Sequence, residues 1–276
     1  MASTTSSNPA ATQTRPAATS MPLVGQILMM TRRSLYTLLR TPEAILPNLL
    51  ISAFFLFVYD SALGGITELP GGPLTGIDYL AFTLPIAIIS ASLNAPAGQA
   101  MVRDLENGYF DKLLLTPISR TALLMGHIFA SGVVITLQTA LILVLALIIG
   151  LQPATGISAL IIILGFSLMI GMGFGGFTVG IALITNSAAA TQGASFIFFP
   201  LTFLTVTFVP MELLQGWIKT VATVNPITYI LEAQREVLIY GWDTEKLLIG
   251  LFACVTLSAI PFFFAVFGLR VRTRRQ

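Results

Sequence analysis

The spacing of Gly171, Gly173 and Gly176 spells GxGxxG, the pattern that lets a backbone approach a dinucleotide pyrophosphate. That chemistry needs a strand before the glycines and a helix starting at them. Here they fall inside an apolar run of nearly thirty residues, 157–185, so the nucleotide reading is rejected. Gly171 and Gly175, and likewise Gly176 and Gly180, are four apart and share a helical face, which suits close packing of helices in lipid. The partner helix is another span or a second copy of the chain. No GxxxxGK[ST] phosphate loop, HExxH, GxSxG or acidic metal cluster occurs anywhere. The chain is therefore expected to bind no cofactor and to hydrolyse nothing itself. One cysteine, Cys254, and one histidine, His127, exclude an intrachain disulfide and a multi-histidine metal site. Cys254 reads as a core or lipid-facing residue and His127 as an interfacial one.

The other stretch with chemical potential is a polar island at 103–120, RDLENGYFDKLLLTPISR, between two long apolar runs. Asp104 and Glu106 precede Gly108, a turn or break. Residues 109–115 form a short helix with Asp111 and Lys112 solvated, and Thr116-Pro117 stops it. Ser119 caps the next helix, which starts near Arg120 and Thr121. A short amphipathic helix tied to two spans is a lever, and a charged loop of this kind is a docking surface for a cytoplasmic partner.

The elements that position the island follow from composition. The 276 residues are 55% hydrophobic and 9% charged, against about 25% charged in soluble domains. A spanning helix needs about 20 mostly apolar residues. Six stretches approach that: 44–63, 79–100, 121–150, 157–185, 192–209 and 247–269, the fifth being short and broken by Pro200. Charge sets their orientation. With the N-terminus cytoplasmic, one side holds Arg15, Arg32, Arg33, Arg40, Arg103, Lys112, Arg120, Arg270, Arg272, Arg274 and Arg275; the other holds Lys219, Arg235 and Lys246. Both termini then fall on the basic side, as an even number of spans requires. The acids Glu68, Asp78, Glu212, Asp243 and Glu245 lean outward.

Residues 1–20, rich in Ala, Ser, Thr and Pro, read as a disordered cytoplasmic tail, and 271–276 as a basic one. Residues 22–42 read as an interfacial amphipathic helix before the first span. Gln26, Arg33 and Arg40 share one face, expected toward lipid phosphate; Val24, Ile27, Leu28, Leu35, Leu38 and Leu39 lie opposite, toward lipid. The outer segment 210–245 is too long for a hairpin and too polar to span. It reads as two short re-entrant helices broken at Asn225-Pro226, with Trp217, Tyr229, Tyr240 and Trp242 at the interface and Glu232, Arg235 and Glu236 spaced for a local ion pair. Charge inside the spans is nearly missing, Asp60 being the nearest case, which argues against proton or sodium coupling. Ser90, Ser92, Asn94, Gln138, Thr139, Ser167, Thr178, Thr202, Thr205 and Thr207 offer instead a weakly polar path for an amphipathic molecule.

In order, these are an interfacial helix, two spans, an E-x-G loop ending in TP-x-SR, three spans, an outer NP-x-TY-x-x-E-x-x-R segment and a last span with a basic tail. The layout resembles the permease subunit of type-2 ABC exporters, in the branch of daunorubicin-resistance and nodulation-type permeases, over about 23–275. Gly108-Tyr109 stands where that branch typically has Gly-Thr. The resemblance implies an all-α membrane protein of six spans, 21–270, with 101–120 as a coupling loop and 210–245 as outer re-entrant helices. It implies that Glu106, Gly108, Thr116, Pro117, Ser119 and Arg120 couple to a separate ABC ATP-binding subunit, present in two copies, which binds the ATP and Mg. It implies that Asn225, Pro226, Tyr229 and Arg235 belong to an outer gate. A second permease copy or a sister permease, and membrane lipid, are the other expected partners; nucleic acid is not. The expected place is a bacterial-type plasma (inner) membrane, multi-pass, with both termini cytoplasmic. The expected activity is outward transport of an amphipathic drug-like or lipid-like molecule, the alternatives being export of a lipid-linked glycan or polysaccharide, or a membrane assembly protein with no transport cycle.

Overall fold

The computed structural model describes residues 21–42, 46–63, 65, 77–93, 95–207 and 210–275. The expectations for 1–20, for Glu68 and Asn94, for the Asp60 side chain, and for the end of the fifth stretch beyond 207 lie outside these residues. Among the described residues the chain is all helix: α1 Leu23–Leu39, α2 Leu46–Leu63, α3 Tyr79–Leu93, α4 Ala97–Glu106, α5 Tyr109–Leu114, α6 Arg120–Ile149, α7 Ile157–Thr185, α8 Ala188–Ser195, α9 Phe198–Phe203, α10 Gly216–Val224, α11 Pro226–Arg235 and α12 Thr244–Arg275.

Among the described residues four helices are long and apolar enough to cross a membrane: α3 with α4 over Tyr79–Glu106, then α6, α7, and α12 over Thr244–Arg274. The apolar part of α2, Leu46–Val58, is shorter. The fifth expected span is a broken one. It divides into α8 and α9 and then leaves helical geometry over 204–207. Pro200 sits in the first turn of α9, where its missing N–H does no harm. The Thr202, Thr205 and Thr207 hydroxyls that follow turn back onto carbonyls of Phe199 and Thr202, which competes with helix continuation.

Packing places α3–α4 at the centre, 94% of its apolar window being buried, and α12 at the periphery, with 17% buried. The α7 glycines divide between two neighbours. A Cβ on Gly171 would meet Ile135 at 2.8 Å, and one on Gly175 would meet Ser131 at 2.9 Å, both on α6. A Cβ on Gly176 or Gly180 would meet the backbone of Pro261 or the ring of Phe264, both on α12. All four therefore serve packing within the chain.

The first helix departs from its expected orientation. Its polar face turns to protein: Gln26, Met30, Ser34 and Leu38 are buried, and Arg33 is only part-exposed. Gln26 meets Ser119, Met30 lies on Gly126, and Leu38 clusters with Ala130 and Val134, so α1 runs alongside the first half of α6. The apolar residues Val24, Leu28, Met29 and Leu39 are at least half exposed. The arginine was expected toward phosphate because amphipathic periodicity fixes which residues share a face but not what covers it. Here a buried carboxylate takes the guanidinium.

Candidate functional site

Chemistry-bearing side chains gather at the two ends of the helical bundle. At the end where α4 meets α5, the chain turns at Gly108 with φ 63°, a left-handed conformation that glycine adopts without a Cβ penalty. The six-residue α5 then buries Phe110 and Leu113 in a cluster with Met30, Leu105, Leu123, Leu124 and Leu269. Its other face is open. Glu106, Lys112, Thr116, Pro117 and Arg120 are exposed, and Leu115 projects with 89% exposure. Thr116 Oγ1 donates to the Leu113 carbonyl at 2.6 Å and closes the helix end. Ser119 is half-buried: its Oγ accepts from the Ala122 N–H at 3.1 Å as the α6 cap, and its own N–H donates to Gln26 Oε1 at 2.8 Å.

An ion cluster holds this corner. Arg33 donates two parallel bonds of 2.8 Å to the Asp104 carboxylate, and His127 Nε2 lies 3.2 Å from Asp104 Oδ2. The Arg33 guanidinium also lies 3.9 Å over the Tyr109 ring, at the start of α5. Burial lowers the Arg33 pKa, but the hydrogen bond and charge of Asp104 outweigh it and raise it above the ordinary value. On the far side Arg272 of α12 approaches Asp111 at 3.7 Å and the Phe110 ring at 5.9 Å. Thus α5 is held between arginines from the first and last helices. His127, read from sequence as interfacial, is 5% exposed and part of this cluster.

Of the six residues expected to couple to a partner, Glu106, Thr116, Pro117 and Arg120 are exposed at this corner, while Gly108 forms its turn and Ser119 caps α6. Sequence reasoning missed Leu115, Arg33, Asp104 and His127. The signal for Leu115 was its place between the buried Leu113 and Thr116-Pro117, beyond the last helical turn.

At the opposite end, a 3-10 turn Met211–Leu213, α10, α11 and a π-helical turn Glu236–Tyr240 make up the outer segment. Asn225 caps α11: its Oδ1 accepts from the Ile227 N–H at 3.0 Å, with Pro226 at the first helical position. Its Nδ2 reaches back to the Leu201 carbonyl at 2.9 Å and to Leu204 at 3.3 Å. Tyr229 Oη donates to the Thr223 carbonyl at 2.6 Å, joining α11 to α10.

Arg235 is 4% exposed. It donates to the carbonyls of Phe82 at 2.9 Å, Val206 at 2.5 Å and Thr207 at 2.9 Å, and lies 3.6 Å over the Phe82 ring. Burial lowers its pKa to about 9, with Glu232 opposing, so it stays charged at neutral pH. The ion pair expected within 232–236 forms differently: Glu236 pairs with Lys246 at 2.8 Å, and Arg235 serves backbone. Two of these bonds supply the carbonyls at 206 and 207, where the backbone has left helical geometry and buried acceptors need partners.

Between the two ends, a cavity of about 290 Å³ lies among α2, α3, α8 and α9. Its walls combine Phe55, Phe196, Phe199 and Phe203 with Asn48, Ser90, Gln192, Thr202 and Thr207, and carry no charged side chain. Ser90, Thr202 and Thr207 are among the groups expected to line a weakly polar path.

A chain whose described residues are helical, four of the helices being long and apolar enough to cross a membrane, is a multi-pass membrane protein by class. Residues 25–239 match the family described as ABC-2 type transporter. The chain belongs to that family. It is 23% identical over 232 residues to a daunorubicin resistance ABC transporter permease protein of Streptomyces coeruleorubidus, covering 80% of this chain and 75% of the relative. A probable doxorubicin resistance ABC transporter permease protein of Mycobacterium tuberculosis is 21% identical over 214 residues, 77% of this chain and 76% of the relative. A probable multidrug ABC transporter permease of Escherichia coli is 25% identical over 169 residues, 58% of this chain and 44% of the relative.

Proposed function

We propose that this permease is the membrane subunit of an ATP-driven exporter that moves an amphipathic drug-like or lipid-like molecule outward by alternating access. The observation that carries the reading is the α5 corner. One face of α5 is locked into the bundle by Phe110, Leu113 and two arginines, and the other presents Glu106, Lys112, Leu115, Thr116, Pro117 and Arg120 to water. A helix fastened on one side and open on the other transmits a push. The sequence holds no phosphate loop, so the push comes from separate ATP-binding subunits, two copies holding ATP and Mg.

In this reading α2 and α8–α9 are the first and fifth of six spans, both termini are cytoplasmic, and the membrane is a bacterial-type plasma membrane. A second permease copy or a sister chain covers the exposed aromatics of α2 and α9, Phe54, Phe57, Phe199 and Phe203. The Asn225, Pro226, Tyr229 and Arg235 cluster serves as the outer gate. The uncharged, phenylalanine-rich cavity supports an amphipathic substrate, as do relatives named for daunorubicin and doxorubicin resistance. ATP shifts the inward–outward balance only through its different binding in the two states.

The test is affinity purification of the tagged chain from its native membrane in mild detergent, with identification of co-purifying proteins and an ATPase assay. An ATP-binding subunit at stoichiometric level is expected, with coupling lost in Glu106→Ala and Arg120→Ala while membrane insertion is retained. A chain that carries no ATPase even after gentle crosslinking, or normal transport by both variants, would sink the reading.

A further inference from the structure

A cavity of about 120 Å³ opens between α1, α4 and α6, beside the Arg33–Asp104 pair. Pockets for drug-sized ligands run about 300–1,000 Å³, so this one suits a single small group. Its charge can be counted. Asp104 is fully engaged: Oδ1 accepts from Arg33, and Oδ2 from Arg33 and His127. Arg33 is engaged in turn, with both terminal nitrogens on Asp104 and its face over Tyr109. Arg103, which also lines the cavity, is not. Its Nη2 is buried and has no hydrogen-bond partner among the described residues.

Folded proteins seldom leave such groups unpaired, because each one costs the water it gave up. With Asp104 offsetting Arg33, the cavity retains the positive charge of Arg103. The absent partner is therefore an anionic acceptor. The Ser34 side chain and Asn107 face the same space and can add donors around it. We propose that this cavity binds a phosphate group, either the headgroup phosphate of an anionic lipid or a free phosphate ion. The lipid source has direct support in α1, whose Val24, Leu28, Met29 and Leu39 are exposed and apolar beside the exposed Arg40. A helix with that surface belongs among headgroups.

The test uses the full chain purified in detergent. Native mass spectrometry measures retention of dioleoyl phosphatidic acid against dioleoylglycerol, the same lipid without phosphate. Calorimetry with inorganic phosphate forms the second arm. Wild type and Arg103→Lys should prefer the phosphorylated lipid, and Arg103→Gln should lose that preference about tenfold, the scale of one charge-assisted hydrogen bond. Arg32→Gln, exposed and outside the cavity, should change it less than about twofold. Arg103 makes no bond that the described fold depends on, so the variants should share the wild-type unfolding midpoint. Phosphate binding in calorimetry that is lost in Arg103→Gln, with no lipid preference, assigns the site to the free ion. Binding unaffected by Arg103→Gln in both arms, or an equal loss in Arg32→Gln, overturns the proposal. So does an Arg103→Gln variant that keeps both arms but loses a co-purifying ATPase, since the acceptor would then be a protein carboxylate.

Discussion

Replacing Arg235 with methionine isolates what the outer cluster contributes. Methionine keeps an unbranched side chain and removes the three bonds to the Phe82, Val206 and Thr207 carbonyls. Val206 and Thr207 lie in non-helical backbone, so each becomes a buried acceptor without a partner, at about 1–3 kcal/mol apiece. The Phe82 carbonyl lies within α3, so its loss counts for less. The contact with the Phe82 ring adds about 0.5–2 kcal/mol. Removing a desolvated charge gives part of this back, leaving a net loss of about 2–5 kcal/mol. At about 2–4 °C per kcal/mol for a chain of this order of size, the unfolding midpoint should fall by roughly 4–20 °C.

The assay is intrinsic fluorescence on heating in detergent. The two tryptophans, Trp217 and Trp242, both belong to the outer segment, so the signal arises where the bonds are lost. Arg235→Lys should fall between the two, because one nitrogen cannot serve α3 and the 206–207 stretch with the guanidinium's geometry. A methionine variant that melts within about 2 °C of wild type, with an unshifted emission spectrum, would refute the reasoning. Water or neighbouring groups would then be satisfying those carbonyls.

At the other end, Leu115→Glu should leave the unfolding free energy within about 0.5 kcal/mol of wild type, the usual range for an exposed position; a pull-down should show the ATP-binding partner lost about tenfold. Asp104→Asn should cost about 1–3 kcal/mol, a figure discounted because Arg33 is part-exposed. In a double-mutant cycle, adding Arg33→Gln to it should cost little more, and additive losses would show that the pair is not coupled. Gly180→Leu drives a side chain into Phe264 and the Ala265 backbone and should cost about 1–3 kcal/mol in thermal unfolding. An unchanged midpoint would mean that α7 and α12 are not held at this contact.

The sequence made the long helices legible because length and hydropathy are local properties, and α6 and α7 fall within a residue or two of the expected stretches. Caps were legible for the same reason: Ser119 and Asn225 act on backbone two or three residues away. The four-residue glycine spacings gave the faces of α7 but not their neighbours, since periodicity carries no tertiary address. The arginines were misjudged for that reason too. Arg33 reaches Asp104 across 71 residues and Arg235 reaches Phe82 across 153, separations with no periodic signature. A charge near an apolar helix reads from sequence as facing water or lipid phosphate. Only the fold brings a carboxylate or a row of free carbonyls close enough to replace them.

The two clusters meet the same element. Arg235 grips α3 at Phe82, and Arg33 grips α4 at Asp104. Those residues are 22 positions apart on the Tyr79–Glu106 rod, or about 33 Å at 1.5 Å per residue. On the proposed reading that separation matches a hydrocarbon layer about 30 Å thick, with one grip near each face. Most of this rod's apolar window is buried, and among the described residues its helix gives way at Ala95-Pro96. Just past the break, the Gly98 N–H donates to Thr178 Oγ1 on α7 at 3.1 Å, and a Cβ there would meet Thr178 and Thr191 at 2.5 Å. The rod is therefore clasped at both ends and pinned tightly beside this joint. On the proposed reading, a push on α5 reaches the outer gate through α4, the joint and α3, with the joint deciding how much of it arrives. Gly98→Ala would then disturb coupling between ATP hydrolysis and transport more than it disturbs docking of the partner. A variant that lost the partner while its remaining complexes stayed tightly coupled would show that the path runs elsewhere.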